Sequence, residues 1–299
     1  MSIPLSPGTG GNVTQSHCSN RCTWCDGCGD YGIWSAVRRA LAELNYQPWQ
    51  TVLCYDVGCH GNMSDKLLGY RFHGLHGRVI PFAAGVKLAN PRLPVIAFGG
   101  DGASFSEGIG HLVHGIRSNY PITFVLHNNG NYGLTMGQAS SLTKQGEKMT
   151  ASPNGIPEQT IHSMDFVFSL APTFVARTWS GDIPHMTKML KAAIAHQEHG
   201  FAFVDILQAC PTYNHFATHH YLLERCYDAN AEGHDPSNFE AARALATCDT
   251  SERIPCGVLY QNTAISSFYD RLLPRQNLTT TPVEEVSIHD VAALMRRFA

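Results

Sequence analysis

No stretch of the sequence approaches the ~18–20 consecutive apolar residues that a membrane-crossing helix requires. An excess of basic residues is missing too. Lysine and arginine number 21 against 24 aspartates and glutamates, a formal net charge of −3, so no cationic field invites nucleic acid. The opening segment "MSIPLSPGTGGNVTQ" has neither a charged start nor an apolar centre and does not read as a secretory leader, so a cytoplasmic location is expected. Internal repeats and low-complexity blocks are absent as well.

What the chain does have is cysteine, ten in 299 residues. In a reducing compartment these do not form a disulfide framework. Four of them, Cys18, Cys22, Cys25 and Cys28, crowd into "HCSNRCTWCDGCGDYG", a spacing that suggests a metal or an iron–sulfur cluster. Cys54, Cys226, Cys248 and Cys256 are scattered and read as small packing residues.

Short apolar runs alternate with amphipathic stretches, which predicts a doubly wound α/β fold with a mostly parallel sheet between helices. Strands are expected at 51–56, 95–98, 122–127 and 201–207, and helices at 32–44, 105–118 and 185–197. The polar segment 143–160 reads as an exposed loop. Periodicity weakens after residue 214. The chain therefore divides into a domain over 1–214 and an extension over 215–299, with one short helix near Phe239–Ala246, that is expected to pack on a partner.

The stretch "VIAFGGDGASFSEG" ends an apolar strand on Asp101, held between Gly100 and Gly102. Asn129 follows twenty-eight residues later, just past the next strand. Right-handed crossover makes those strands parallel, so both side chains leave the same rim, where open α/β sheets bind ligands. A carboxylate, an amide oxygen and a nearby backbone carbonyl suit Mg²⁺, with phosphate oxygens completing its shell. This Gly-Asp-Gly and Asn pairing resembles the thiamine-diphosphate motif, which implies Asp101, Asn129 and Asn131 as the magnesium ligands. "DVGCHGN" and "ILQACPTYNHF" place Cys59 and Cys210 just past two further strand ends, so these thiols meet the same rim, where Cys25 and Cys28 can join them.

Together "WCDGCGDYG", "DVGCHGN", "FHGLHGRVIPFAAGVKLANP", "FGGDG", "NNGNYGLTMGQAS" and "QACPTYN" closely resemble the β (thiamine-diphosphate) subunit of the 2-oxoacid:ferredoxin oxidoreductases over roughly residues 22–216. The resemblance implies Cys25, Cys28, Cys59 and Cys210 as ligands of a [4Fe–4S] cluster. It implies CoA-dependent oxidative decarboxylation of a 2-oxoacid to an acyl-CoA and CO₂, with electrons passed to ferredoxin, and the reverse reaction as well. The family divides its cofactor between two domains, and no second domain is evident here. An α subunit is therefore expected as partner, in an α2β2 assembly.

Around the cofactor, Tyr132, Leu134, Thr135 and Gln138 are expected to line the pocket with Gly100 and Gly102. His73 is the candidate catalytic group, with His76 and Arg78 as further polar candidates beside it. His111 and His114 read as surface or packing residues. Lys66, Arg71 and Arg78 lean the substrate toward 2-oxoglutarate, with pyruvate next. Two departures stand out: Cys18 and Cys22 are extra, and Asn128 stands where many relatives carry Asp. The alternatives are a zinc-binding interaction module built on Cys18–Cys28 and a non-oxidative thiamine-diphosphate decarboxylase or synthase.

Overall fold

The computed structural model describes residues 24–248, 251–286 and 292–296. Cys18 and Cys22 lie outside them. Among the described residues, eight strands build one sheet: β1 (Val52–Tyr55), β2 (Tyr70–His73), β3 (Val95–Gly100), β4 (Thr123–Asn128), β5 (Phe174–Trp179), β6 (Ala202–Leu207), β7 (Cys226–Asp228) and β8 (Ile254–Gln261). Their order across the sheet is 2-1-3-4-6-5-8-7. The first six run parallel; β8 turns antiparallel to β5, and β7 follows β8.

Helices cover both faces, which is why the central strands are apolar on alternate residues of both parities. On one side, Leu53, Tyr55, Ile96, Phe98, Val125 and Val204 pack against α1 (Asp30–Glu43) and α5 (Ile183–His196). On the other, Cys54, Ala97, Phe124, Leu126 and Phe203 meet α2 (Val79–Ala89), α3 (Ile109–Ser118), α4 (Ser163–Ser169) and α7 (Phe239–Ala246). Cys54 is fully buried there, as expected of a packing cysteine, and burial pushes its thiol up to about 12. Cys256 is buried too, whereas Cys248 is exposed.

Local chemistry sets the helix ends. Asp182 caps α5 by accepting the amide of His185 at 2.9 Å, with Pro184 in the first turn. Asn238 caps α7 in the same way through the amide of Ala241. The helix expected at 105–118 is broken: a π-helical turn over Ala103–Glu107 precedes α3, with Gly108 between them. Such turns widen the helix locally and re-aim side chains; here Glu107 faces the rim beyond β3.

The extension after 214 holds its expected helix, α7, and also α6 (His219–Arg225) and the strands β7 and β8, which join the sheet beside β5.

Candidate active site

The sheet register brings four strand ends level. Tyr55 pairs with Phe98, Gly100 with His127, and Asn128 with Leu207. Asp56, Asp101, Asn129 and Gln208 consequently emerge along one edge, and Cys59 and Cys210 follow directly after.

Two of the cavities along this edge hold the residues singled out above. The first, about 430 Å³, is lined by Gly100, Asp101, Gly102, Asn129 and Asn131, and on its far wall by Tyr132, Leu134, Thr135 and Gln138. Every cofactor-binding residue expected from the sequence borders it. His73 does not. It ends β2, exposed, with Nε2 over Gly61, while the cavity itself takes His60 and His76. The second cavity, about 180 Å³, is lined by all four of Cys25, Cys28, Cys59 and Cys210. Cys59, Asn129, Gly133 and Leu134 border both, so the two share a wall.

Asp101 is 1% exposed. Its carboxylate accepts from the Ser140 hydroxyl and, at 3.4 Å, from the Asn129 amide. Burial pushes the carboxyl up to about 7, against the lowering effect of those hydrogen bonds. A carboxylate in that situation is stabilised by a cation. The neighbouring oxygens fit one: Asn129 is held by the Asn131 amide, donating to its Oδ1 at 3.1 Å, and Asn131 Oδ1 is buried without a hydrogen-bond partner. Oxygen donors of this kind suit a hard ion such as Mg²⁺. Asn128 does not line this cavity; its Nδ2 donates to Asp205 Oδ1 at 3.1 Å.

The thiol cavity is braced from several elements. The Gly29 amide donates to the Ala209 carbonyl at 3.0 Å, tying the Cys25–Cys28 turn to the segment after β6. Trp24 Nε1 donates to the Cys59 carbonyl at 2.7 Å. Cys28 Sγ lies 3.5 Å from Asp30 Oδ2 and receives Gln208 Nε2 at 3.6 Å. Burial pushes the Cys59 thiol up to about 12, with Asp30, Cys210 and Cys25 adding to it, and burial raises Cys28 further, aided by Asp30. Thiols in such surroundings ionise against positive charge, as a metal centre supplies. Among the described residues, no three His, Cys, Asp or Glu side chains converge at the spacing of a single ion. Four thiols distributed around one cavity fit a multinuclear iron–sulfur cluster.

Residues 56–206 match the family described as thiamine pyrophosphate enzyme, C-terminal TPP binding domain. Residues 210–276 match a second family, the C-terminal part of the pyruvate ferredoxin oxidoreductase beta chain. The 2-oxoacid:ferredoxin oxidoreductase subunit beta of Saccharolobus solfataricus is 37% identical over 279 residues, covering 90% of each chain. This chain belongs to the β subunits of the 2-oxoacid:ferredoxin oxidoreductases. Subunit beta of 2-oxoacid:ferredoxin oxidoreductase 1 from Aeropyrum pernix is 40% identical over 84% of this β subunit and 81% of its own length. A solved structure, the 2-oxoglutarate:ferredoxin oxidoreductase from Magnetococcus marinus with 2-oxoglutarate, coenzyme A and succinyl-CoA bound, superposes with a TM-score of 0.83 at 31% identity, over 96% of both chains. The β subunit is thus part of a thiamine-diphosphate-dependent enzyme and works with an α subunit.

Several residues of the β-subunit site escape a reading of the sequence alone. Asp56 organises the "FHGLHGR" turn by accepting the amides of Gly77 and Val79; its position directly after an apolar strand is the same signal that singles out Asp101. Ser140, on Asp101, sits in the "GQAS" stretch. Asp30 and His127, bonded at 2.8 Å in the buried layer below the rim, carry no local signal, because 97 residues separate them. Arg78 fixes its own turn, with Nη1 donating to the His76 carbonyl at 2.6 Å.

Proposed function

We propose that this β subunit, with its α partner, carries out CoA-dependent oxidative decarboxylation of a 2-oxoacid, reversibly, passing electrons through a [4Fe–4S] cluster to ferredoxin. The observation that carries this reading is the wall shared by the oxygen-lined and thiol-lined cavities. A decarboxylase without redox chemistry has no use for four thiols on the other side of its cofactor. The contiguity serves electron transfer, which needs donor and acceptor close together.

Asp101, Asn129 and Asn131 would hold Mg²⁺ and through it the diphosphate. Gly100 would let the phosphates approach, Gly102 leaves room for the Tyr132 ring beside them, and Tyr132, Leu134 and Thr135 would form the wall. Cys25, Cys28, Cys59 and Cys210 would hold the cluster. Bound thiamine diphosphate supplies a carbon nucleophile for the ketone and a sink for the electrons left after CO₂ departs. The chain's own residues would hold the cation that neutralises the diphosphate, exclude water and keep the thiols against the cofactor wall.

2-Oxoglutarate is the favoured substrate, pyruvate the next. The support is the bound 2-oxoglutarate and succinyl-CoA of the Magnetococcus marinus enzyme. The basic residues give less: Arg71 Nη1 is engaged by the Ser64 carbonyl at 2.9 Å and Arg78 by that of His76. The extension over 215–299 is proposed to contact a partner in an α2β2 complex.

The test is to purify the αβ complex anaerobically and measure iron, sulfide, magnesium and thiamine diphosphate. Dye or ferredoxin reduction is then followed with a panel of 2-oxoacids and CoA. Stoichiometric iron and sulfide with preferred turnover of 2-oxoglutarate support the reading. Turnover without iron, or zinc in its place, refutes it.

A further inference from the structure

Three polar side chains on the cofactor cavity, His76, Glu107 and Tyr132, form a string with the buried Asp56 behind them and play no part in holding magnesium or thiols. Asp56, 1% exposed, ends this string. Its Oδ1 accepts the amides of Val57 at 2.7 Å and Gly77 at 2.8 Å and faces His76 Nδ1 at 3.1 Å; Oδ2 accepts the amide of Val79 at 3.3 Å. An oxygen already receiving two amide protons offers the imidazole only acceptor capacity. Of the ring's two carboxylate contacts this one is the shorter and the buried one, which assigns the proton of neutral His76 to Nδ1 and leaves the free electron pair on Nε2.

Nε2 lies 3.4 Å from Glu107 Oε2. The Tyr132 hydroxyl donates to both Glu107 oxygens at 2.9 Å. His76, Glu107 and Tyr132 all line the cavity. The side chains of His76 and Glu107 are 32% and 36% exposed, so water reaches this pair while Asp56 is sealed from it. The remaining charged or titratable neighbours are Arg78, bonded to the His76 carbonyl, and the buried ring of His60, which interacts electrostatically with His76 and His73. One nitrogen is oriented from behind by a buried carboxylate, faces a ligand cavity and adjoins a solvent-connected carboxylate. This is the arrangement of an oriented acid–base group.

We propose that His76 is the acid–base residue of this active site, with Asp56 as its positioning residue and Glu107 as its exchange point with water. This rests on the thiamine-diphosphate reading above. As negative charge develops on the carbonyl oxygen of the bound 2-oxoacid, protonated His76 gives up the Nε2 proton. The N–H bond breaks, an O–H bond forms, the electron pair stays on nitrogen, and a proton from water returns through Glu107. His73, exposed at the end of β2, has no such orienting partner among the described residues.

The test compares wild-type, His76→Gln, Asp56→Asn and Glu107→Gln αβ complexes. Each is assayed for thiamine diphosphate and iron content and then for kcat. The His76→Gln complex is expected to keep both contents and to lose about 10²–10³-fold in kcat. His76→Ala is expected to regain turnover with added imidazole, which a packing role would not allow. Asp56→Asn and Glu107→Gln are expected to keep both contents and to lower kcat, each by less than His76→Gln does. ¹⁵N-histidine NMR of the full chain, assigned through the His76→Gln spectrum, should show a protonated Nδ1 and a bare Nε2 at alkaline pH. The opposite tautomer overturns the proposal. So does a loaded His76→Gln complex whose kcat stays within threefold of wild type. A wild-type complex that holds no thiamine diphosphate overturns the cofactor reading itself, and does so before any variant is assayed.

Discussion

As the proposed magnesium ligand, Asp101 sets stability against function within a single side chain. Its carboxylate is buried, lifted to about 7 by that burial, and answered by one hydroxyl and one amide. Asp101→Asn removes a buried acid without changing its size. The variant chain, free of cofactor and metal at pH 8, is expected to be more stable than wild type by about 1–3 kcal/mol in urea unfolding. Its magnesium-dependent binding of thiamine diphosphate should fall at least tenfold, as read by calorimetry. Loss of both stability and binding would count against the cation role. The thiols allow a parallel test. Cys59→Ala or Cys210→Ala, each removing one wall of the smaller cavity, should abolish iron binding and the broad visible absorption of the complex, whereas Cys54→Ala, far inside the core, should leave both intact. Asp101 and the cysteines are legible in the sequence because glycines or a strand end flag each one. Asp30 and His127 are not, since only the folded layers bring them together.

The elements differ in how openly they announce themselves. β1, β3, β4 and β6 are buried on both faces and appear as apolar runs. β5 has the same burial, but Arg177 interrupts its run, tolerated because Nε meets Asp205 Oδ2 at 3.3 Å. β2 is exposed throughout and shows no alternation, and β8 carries Pro255 and Gly257. α2 is obscured by Pro81, which it accommodates in its first turn. Helix placement also fixes the thiol cavity. α1 lies so close to the turn after β5 that a Cβ on Gly32 would stand 2.0 Å from the Ser180 carbonyl oxygen. Gly32→Ala is expected to lower stability by ~2–3 kcal/mol. It should also reduce iron content, because the turn that holds Cys25 and Cys28 leads directly into α1; unchanged melting and iron would show that the helix can shift freely. At the far end of α5, His196 is 1% exposed, and burial lowers it to about 4 from 6.5. The unfolded chain binds the extra proton between these values, so stability is complete above pH 6.5 and is lost as pH falls toward 4. The contribution is on the order of 3 kcal/mol. In His196→Gln, denaturant midpoints between pH 6.5 and 4 should flatten by a corresponding amount.

Taken whole, the molecule presents its cofactor cavity at an edge ringed by exposed apolar side chains. Leu75 is 78% exposed, Met136 65% and Leu134 50%. Such groups beside a polar cavity mark a surface that a partner covers. The chain without its α subunit is expected to show no 2-oxoacid-dependent dye reduction even when supplied with iron, sulfide, magnesium and thiamine diphosphate, and adding the α subunit should bring turnover. Activity of the lone chain would contradict this. Among the described residues no helix is long and apolar enough to cross a membrane.

Cys59, Asn129, Gly133 and Leu134 each face two chambers at once. With iron and cofactor placed as proposed, damage on one side would not stay there: an oxidant that strips the iron would also loosen the partition beside the organic cofactor. Exposure to air should end in parallel leakage of both, with neither recovered by resupplying only one.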